Sequence, residues 1–212
     1  MLKKGNKVDY QTFKTAFADY PLFSTKDIEL SFPGFDRNNL LYWQEKNYIQ
    51  KIRNAWYTFS AFPAEGDALF FVANQIYQPS YVSMESALSV YGFIPEGVFQ
   101  ITAVSTLKTK QFRTPLGTFS YQHLKPALFF GYRLEAYQRY FFKMATPEKA
   151  VLDFLYLRPE LVTMEHIEGL RFNLPEIHRI LDVGVFNEFL DAFKNKALSK
   201  RAAIFLQHIA SQ

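Results

Sequence analysis

The 212 residues include no cysteine. That absence excludes disulfides, thiolate nucleophiles and every zinc site built on sulfur, and it fits a reducing compartment. No apolar run approaches the length of a membrane span. The opening MLKKGNKVDYQTF lacks the apolar segment of a signal peptide. The expectation is a soluble, cytoplasmic protein without a membrane partner. No repeat of fixed period and no low-complexity tract interrupts the chain. There is no HExxH pair, no GxSxG elbow, no Walker loop and no dinucleotide fingerprint. The four histidines, His123, His166, His178 and His208, lie on separate stretches. No metal site, no cofactor and no catalytic residue are therefore expected.

What the chain does have is aromatic carbon. Phe occurs 23 times and Tyr 13 times, and 49% of residues are hydrophobic. A packed core is expected rather than disorder. The net charge of +4 hides a segregation. Residues 61–104 contain no Lys or Arg and four acids, whereas residues 105–150 contain eight basic residues and two acids. Residues 1–60 add a second positive block, nine basic against six acidic. These two blocks are where an anionic partner would be sought.

The first 60 residues divide into short punctuated elements. Tyr10, Phe13 and Phe17 recur at helical spacing, and Pro21 ends that helix. Ser24 caps a second helix over Thr25 to Leu30, with Asp27 as an imperfect capping-box partner. The Phe32-Pro33-Gly34-Phe35 turn follows. Asp36 caps a third helix anchored by Leu40, Leu41 and Tyr48, with Trp43 either core or exposed. YIQKIRNAWYTF then reads as two strands turning at Asn54-Ala55. Three helices and a two-stranded wing make a winged helix-turn-helix domain over residues 1–60. In that arrangement the third helix enters the major groove. Its polar residues Arg37, Asn38, Asn39, Gln44 and Lys46 suit base edges, and Lys51 and Arg53 on the wing suit phosphates. The same residues also suit a solvated helix in a unit that only packs on a neighbour.

Residues 60–67, SAFPAEGD, read as a boundary, and residues 61–212 as a mixed α+β domain with a helical C-terminal part. Helices are expected over Ala68 to Tyr77 and from a Ser83 cap to Tyr91, with Gly92 as a left-handed terminator. Strands are expected at FQITAVS, at QFRT and TFSYQHL around the Pro115-Leu116-Gly117 turn, at Leu128 to Arg133, and at Tyr140 to Lys143. Thr146-Pro147-Glu148-Lys149 signals a helix start. Further helices are expected near 166–170, 174–181, 185–193 and 200–209. Glu148 and Asp153, five positions apart, face different ways and make an improbable acid/base pair. Lys108, Lys110 and Arg113 offer either a secondary contact to nucleic acid or an acidic protein, or a strand edge protected by charge.

YVSMESALSVYGFIPE, FQITAVSTLKTKQFRTPLGTFSYQH, FFGY and TPEKAVLDFLYL, in this order, resemble the AbiEi family of type IV antitoxins. The resemblance covers roughly residues 10–195 and is strongest over 80–157. It implies a DNA-binding antitoxin, also described as a transcriptional regulator, that represses its own operon and counteracts a cognate nucleotidyltransferase toxin of the AbiEii type in abortive infection. It also implies an antitoxin domain of nucleotidyltransferase-like topology that is not itself an enzyme. The family signature falls on Tyr81, Ser83, Ser86, Ala87, Leu88, Gly92, Thr114, Pro115, Gly117, Thr146, Pro147, Glu148, Lys149 and Asp153, which read physically as scaffold. The partners implied are double-stranded operator DNA and the toxin. The third helix is only modestly basic and opens on Asp36, which points to a homodimer on DNA or to the second basic block for further phosphate contacts. The alternatives are a protein-interaction module or a general regulator without antitoxin activity. A nucleotidyltransferase proper needs a Gly-Ser loop followed by paired Asp residues, and that set is absent.

Overall fold

In the computed structural model, which describes residues 8–95 and 100–211, the local signals at the N-terminus become three helices and a small sheet. Helix α1 (Tyr10–Phe17) starts at Asp9, whose carboxylate accepts from the Thr12 amide at 2.9 Å. Helix α2 (Thr25–Ser31) carries a complete capping box. The Asp27 amide donates to Ser24 Oγ at 3.2 Å, and the Ser24 amide donates to Asp27 Oδ2 at 2.7 Å. A short Asp side chain thus closes the box as a Glu would. Gly34, at φ +77°, makes the turn into α3 (Asn38–Glu45). Asp36 accepts from the Asn38 amide at 3.0 Å, although the helix itself begins after Arg37.

Strands β2 (Ile49–Arg53) and β3 (Trp56–Phe59) turn at Asn54-Ala55, with Ala55 at φ +67°. The two-residue strand β1 (Phe23–Ser24) pairs on the far side of β3, giving an antiparallel order β1-β3-β2. Phe13 and Phe17 are fully buried against Phe23, Phe32 and Trp43. Two of the expected anchors of α3 are corrected here. Leu40 is buried, but Leu41 and Tyr48 are exposed, and Trp43 takes the inward position with Leu40. Spacings of three and four both fit a helix face, and only the position of α1 decides between them.

The rest of the chain builds a mixed six-stranded sheet in the order β6-β7-β5-β4-β9-β8. The strands are β4 (Ser80–Val82), β5 (Gln100–Ser105), β6 (Lys110–Thr114), β7 (Gly117–His123), β8 (Tyr132–Tyr137) and β9 (Tyr140–Ala145). The pairs β4–β9 and β5–β7 are parallel, and the others are antiparallel. Helices α4 (Gly66–Ile76), α5 (Glu85–Val90) and α6 (Pro147–Leu157) pack on the sheet. Helices α7 (Met164–Glu168), α8 (Leu174–Ile180), α9 (Val183–Phe193) and α10 (Lys196–Ala210) complete the C-terminal part. The observed architecture is therefore α+β, with a winged-helix-like start and a largely helical end. No described helix is long and apolar enough to cross a membrane.

Two expected elements are replaced. Ser83 does not cap α5. Its hydroxyl turns into the core, and the first turn of α5 is satisfied from β5 instead. Thr102 Oγ1 accepts from the Ser86 amide at 2.9 Å, and Ser86 Oγ accepts from the Thr102 amide at 2.8 Å. The expected strand from Leu128 to Arg133 is instead a 3-10 turn, Pro126–Leu128, and pairing starts only at Tyr132. Pro126 presets the turn. Gly131, at φ +68°, then approaches α6 so closely that a Cβ would lie 2.9 Å from Lys149 Cγ. The Phe99 end of the strand FQITAVS falls outside the described residues.

Three tyrosine hydroxyls tie the sheet to its surroundings. Tyr91 donates to the Ala145 carbonyl at 2.6 Å, Tyr121 to the Ala73 carbonyl at 2.7 Å, and Tyr81 to Asp153. Burial pushes the Tyr91 hydroxyl up to about 12 and the other two well above the ordinary value of 10.0. A raised folded-state pKa gives stability that is complete below the unfolded value and lost as pH rises beyond it. Unfolding should therefore set in between pH 10.0 and about 12, with the 295 nm signal of tyrosinate rising together with the loss of ellipticity. Tyrosinate appearing well before unfolding would show that these hydroxyls are accessible.

Candidate nucleic-acid interface

A duplex presents a regular array of phosphates, so a surface that receives it needs cations on protruding elements and few carboxylates between them. At α3, Asn38 and the two flanking residues Arg37 and Lys46 are exposed. Asn39 and Gln44 are half-buried and already serve the backbone. Asn39 Nδ2 donates to the Val8 carbonyl at 3.4 Å, and Gln44 Nε2 donates to the Leu40 carbonyl at 2.7 Å. The outer face of the helix also carries Leu41 and Tyr42, 62% and 53% exposed, together with Glu45. Lys46 Nζ lies 5.7 Å from the centre of the Tyr42 ring.

The wing meets the far edge of the large sheet. Lys51 is exposed, whereas Arg53 is half-buried and bridges to the second core. Its guanidinium donates to the Ile76 carbonyl and stacks 4.3 Å from the Phe112 ring centre and 5.4 Å from that of Tyr77. Arg53 thus holds the wing against β6 with one of its nitrogens already engaged. Lys51, Ile52, Arg53 and Asn54 on the wing face Lys110, Gln111, Phe112 and Arg113 on β6 across an open cleft of about 550 Å³. Among the described residues four cations line it and no carboxylate does. Lys108 sits beside this edge, exposed, with its carbonyl accepting from the Tyr77 hydroxyl at 2.8 Å. Cations from the two positive blocks of the sequence, more than fifty residues apart in the chain, are brought to one place.

Sequence reasoning missed a buried cluster between β4 and α6. Lys149 and Asp153, both completely buried, form an ion pair one turn apart on α6. Asp153 Oδ2 accepts from Tyr81 Oη and from Ser83 Oγ, each at 2.8 Å. Lys149 Nζ also donates to Tyr81 Oη at 2.7 Å and lies near 5 Å from the ring centres of Phe130 and Phe193. Every polar atom of the pair is met from β4, from Ser83 just beyond it, or from its partner. The available signal was a charged pair at i and i+4 in the otherwise apolar KAVLDFL stretch, where no solvent-facing stripe exists to receive it. Glu148 points elsewhere, as its separation from Asp153 implied, and accepts from the Asp182 amide at 3.1 Å.

Burial lowers the Lys149 ammonium from its ordinary value of 10.5, and Asp153 opposes that shift. A lowered lysine gains stability as pH rises toward its unfolded value, the opposite sense to the tyrosines. Removing one partner leaves the other charge buried without compensation. Asp153→Ala should cost about 3–5 kcal/mol in chemical denaturation, whereas Lys149→Met combined with Asp153→Leu should recover most of that loss. A double variant as unstable as the worse single one would show that the charges themselves are not the cause.

Among the described residues no group of three or more His, Asp or Glu side chains is placed to hold a metal ion. No protein-family model matches the chain, and no curated protein is similar to it in sequence.

Proposed function

We propose that this chain is a nucleic-acid-binding regulator whose N-terminal unit works as a winged helix-turn-helix. In this reading its contact surface is composite. Helix α3 offers Arg37, Asn38 and Lys46 to a groove, and the wing and β6 together grip the phosphates. The observation that carries the proposal is the cleft in which Lys51 and Arg53 face Lys110 and Arg113 with no carboxylate between them among the described residues. A strand edge charged only for its own protection has no need of a matching row on a neighbouring hairpin. Clustered cations also steer a polyanion toward the surface before contact.

The resemblance to AbiEi antitoxins gives this activity its setting. The chain would repress its own operon and neutralise a nucleotidyltransferase toxin, through an antitoxin domain related in topology to that enzyme class. Recognition rather than catalysis is assigned to it. Lys149 and Asp153, the most chemically capable pair, are sealed from any substrate. One observation favours the alternative, a protein-interaction module: Leu41 and Tyr42 stand exposed on α3, where a groove reader would carry polar side chains.

Titrating fluorescent duplexes at increasing salt separates these readings. Duplex from the region upstream of the gene should bind more tightly than random duplex, with affinity falling steeply as salt rises. Lys110→Ala with Arg113→Ala should weaken binding to all sequences and reduce the salt slope by about two. Arg37→Ala with Asn38→Ala should cost about 1–3 kcal/mol of discrimination at the positions they read. Salt-insensitive binding, or no change in the cleft variants, would remove the proposal. Co-expression with the adjacent gene product tests the antitoxin role, which fails if growth arrest persists.

A further inference from the structure

We infer that strand β8 pairs antiparallel with β8 of a second copy of this chain, about a two-fold axis through Leu134. Strand β8 is the outer strand of the six-stranded sheet, and its other side has no strand partner among the described residues. A long unprotected edge invites pairing. The β8–β9 hairpin also carries apolar side chains on its exposed face. Leu134 and Phe141 are 62% and 60% exposed, and register places Ala136 beside Phe141.

The backbone restricts which pairing is possible. Tyr137 pairs with Tyr140 across a two-residue turn, and such turns close on a hydrogen-bonded pair. Counting back by twos, Glu135 and Arg133 direct their N–H and C=O groups to β9 as well. Tyr132, Leu134 and Ala136 direct theirs outward. Two copies can therefore join only in registers that oppose these even-numbered residues. Centring the axis on Arg133 sets Arg133 against itself, and centring it on Glu135 sets Glu135 against itself. Like charges directly opposite are unfavourable. Centring on Leu134 instead sets Arg133 against Glu135 of the second copy, twice, and Leu134 against Leu134.

The same register matches all three outward-facing residues, Tyr132 to Ala136, Leu134 to Leu134 and Ala136 to Tyr132. It places the exposed leucines in mutual contact. It also brings a second guanidinium toward Glu135. Glu135 touches Arg133 of its own strand, but its Oε1 is buried without an aligned hydrogen bond. The guanidinium of the second copy arrives on that face. An isologous interface of this kind repeats each contact by symmetry. It stands apart from the nucleic-acid reading, because the basic cleft lies on β6, the opposite edge of the same sheet.

Sedimentation of the full chain over a range of concentrations should show a species of twice the 24.8 kDa monomer mass. Leu134→Lys should abolish it with the far-ultraviolet spectrum unchanged. Arg133→Glu and Glu135→Arg should each weaken it, and the two together should restore it. Because the chain has no cysteine, Leu134→Cys introduces a single thiol. Facing residues in such a pair lie within disulfide reach, so copper–phenanthroline should link Leu134→Cys into dimers while Val162→Cys, also exposed, stays unlinked. A monomer at every concentration overturns the inference. So does a dimer that ignores Leu134→Lys and the charge exchange.

Discussion

The ion pair between Lys149 and Asp153 is the constraint around which the larger domain is arranged. Two opposite charges removed from water are tolerable only when every donor and acceptor is met. That requirement fixes β4, whose Tyr81, with Ser83 just beyond the strand, must reach Asp153. It fixes the path before β8, because Gly131 lets the backbone lie against the lysine stem where any side chain would collide. It also holds Ser83 inward, so the chain enters α5 through Met84 at φ +58°, a conformation unusual for a residue with a side chain. The local strain there is held by bonds on both sides: Ser83 to α6, and Thr102 to the Ser83 carbonyl at 2.8 Å.

The distribution of charge follows from the same economy of burial. The stretch from 61 to 104 without a basic residue supplies α4, β4 and α5, which bury much of their length and where an unpaired ammonium would be costly. Four basic residues on β2 and β6, Lys51, Arg53, Lys110 and Arg113, gather around one cleft. Arg53 belongs to both roles. Its planar head stacks on Phe112 while presenting charge to the cleft, a combination open to arginine and not to lysine.

Much of this was legible in the sequence wherever a signal is local. Ser24 with Asp27, Thr146 with Pro147, Gly92 and the turns at Gly34 and Asn54-Ala55 each act within a few residues, and each lies where its chemistry demands. What escaped depends on distant partners. Strand β1 is two residues long and exists because β3 lies beside it. Ser83 has the composition of a cap, but a carboxylate seventy residues away competes for its hydroxyl. Trp43 and Leu41 exchange the roles expected of anchors because α1 covers one side of α3 and leaves the other bare. For the candidate site, residue types and blocks were readable, but the approach of β6 to the wing was not.

Strand β2 belongs to two interiors at once. Ile49 is buried with the aromatic cluster of the first three helices, and Ile52, three residues on, is buried with the core of the large sheet, as is Leu22. The register irregularity between Lys51 and Arg53 turns the strand from one to the other. The boundary suggested by SAFPAEGD is thus a seam in the chain rather than in the solid. Scission there would strip Leu22 and Ile52 of their surroundings and leave the Phe112 face of β6 bare. The wing is therefore held by side chains of both interiors, and a substitution in either core reaches it.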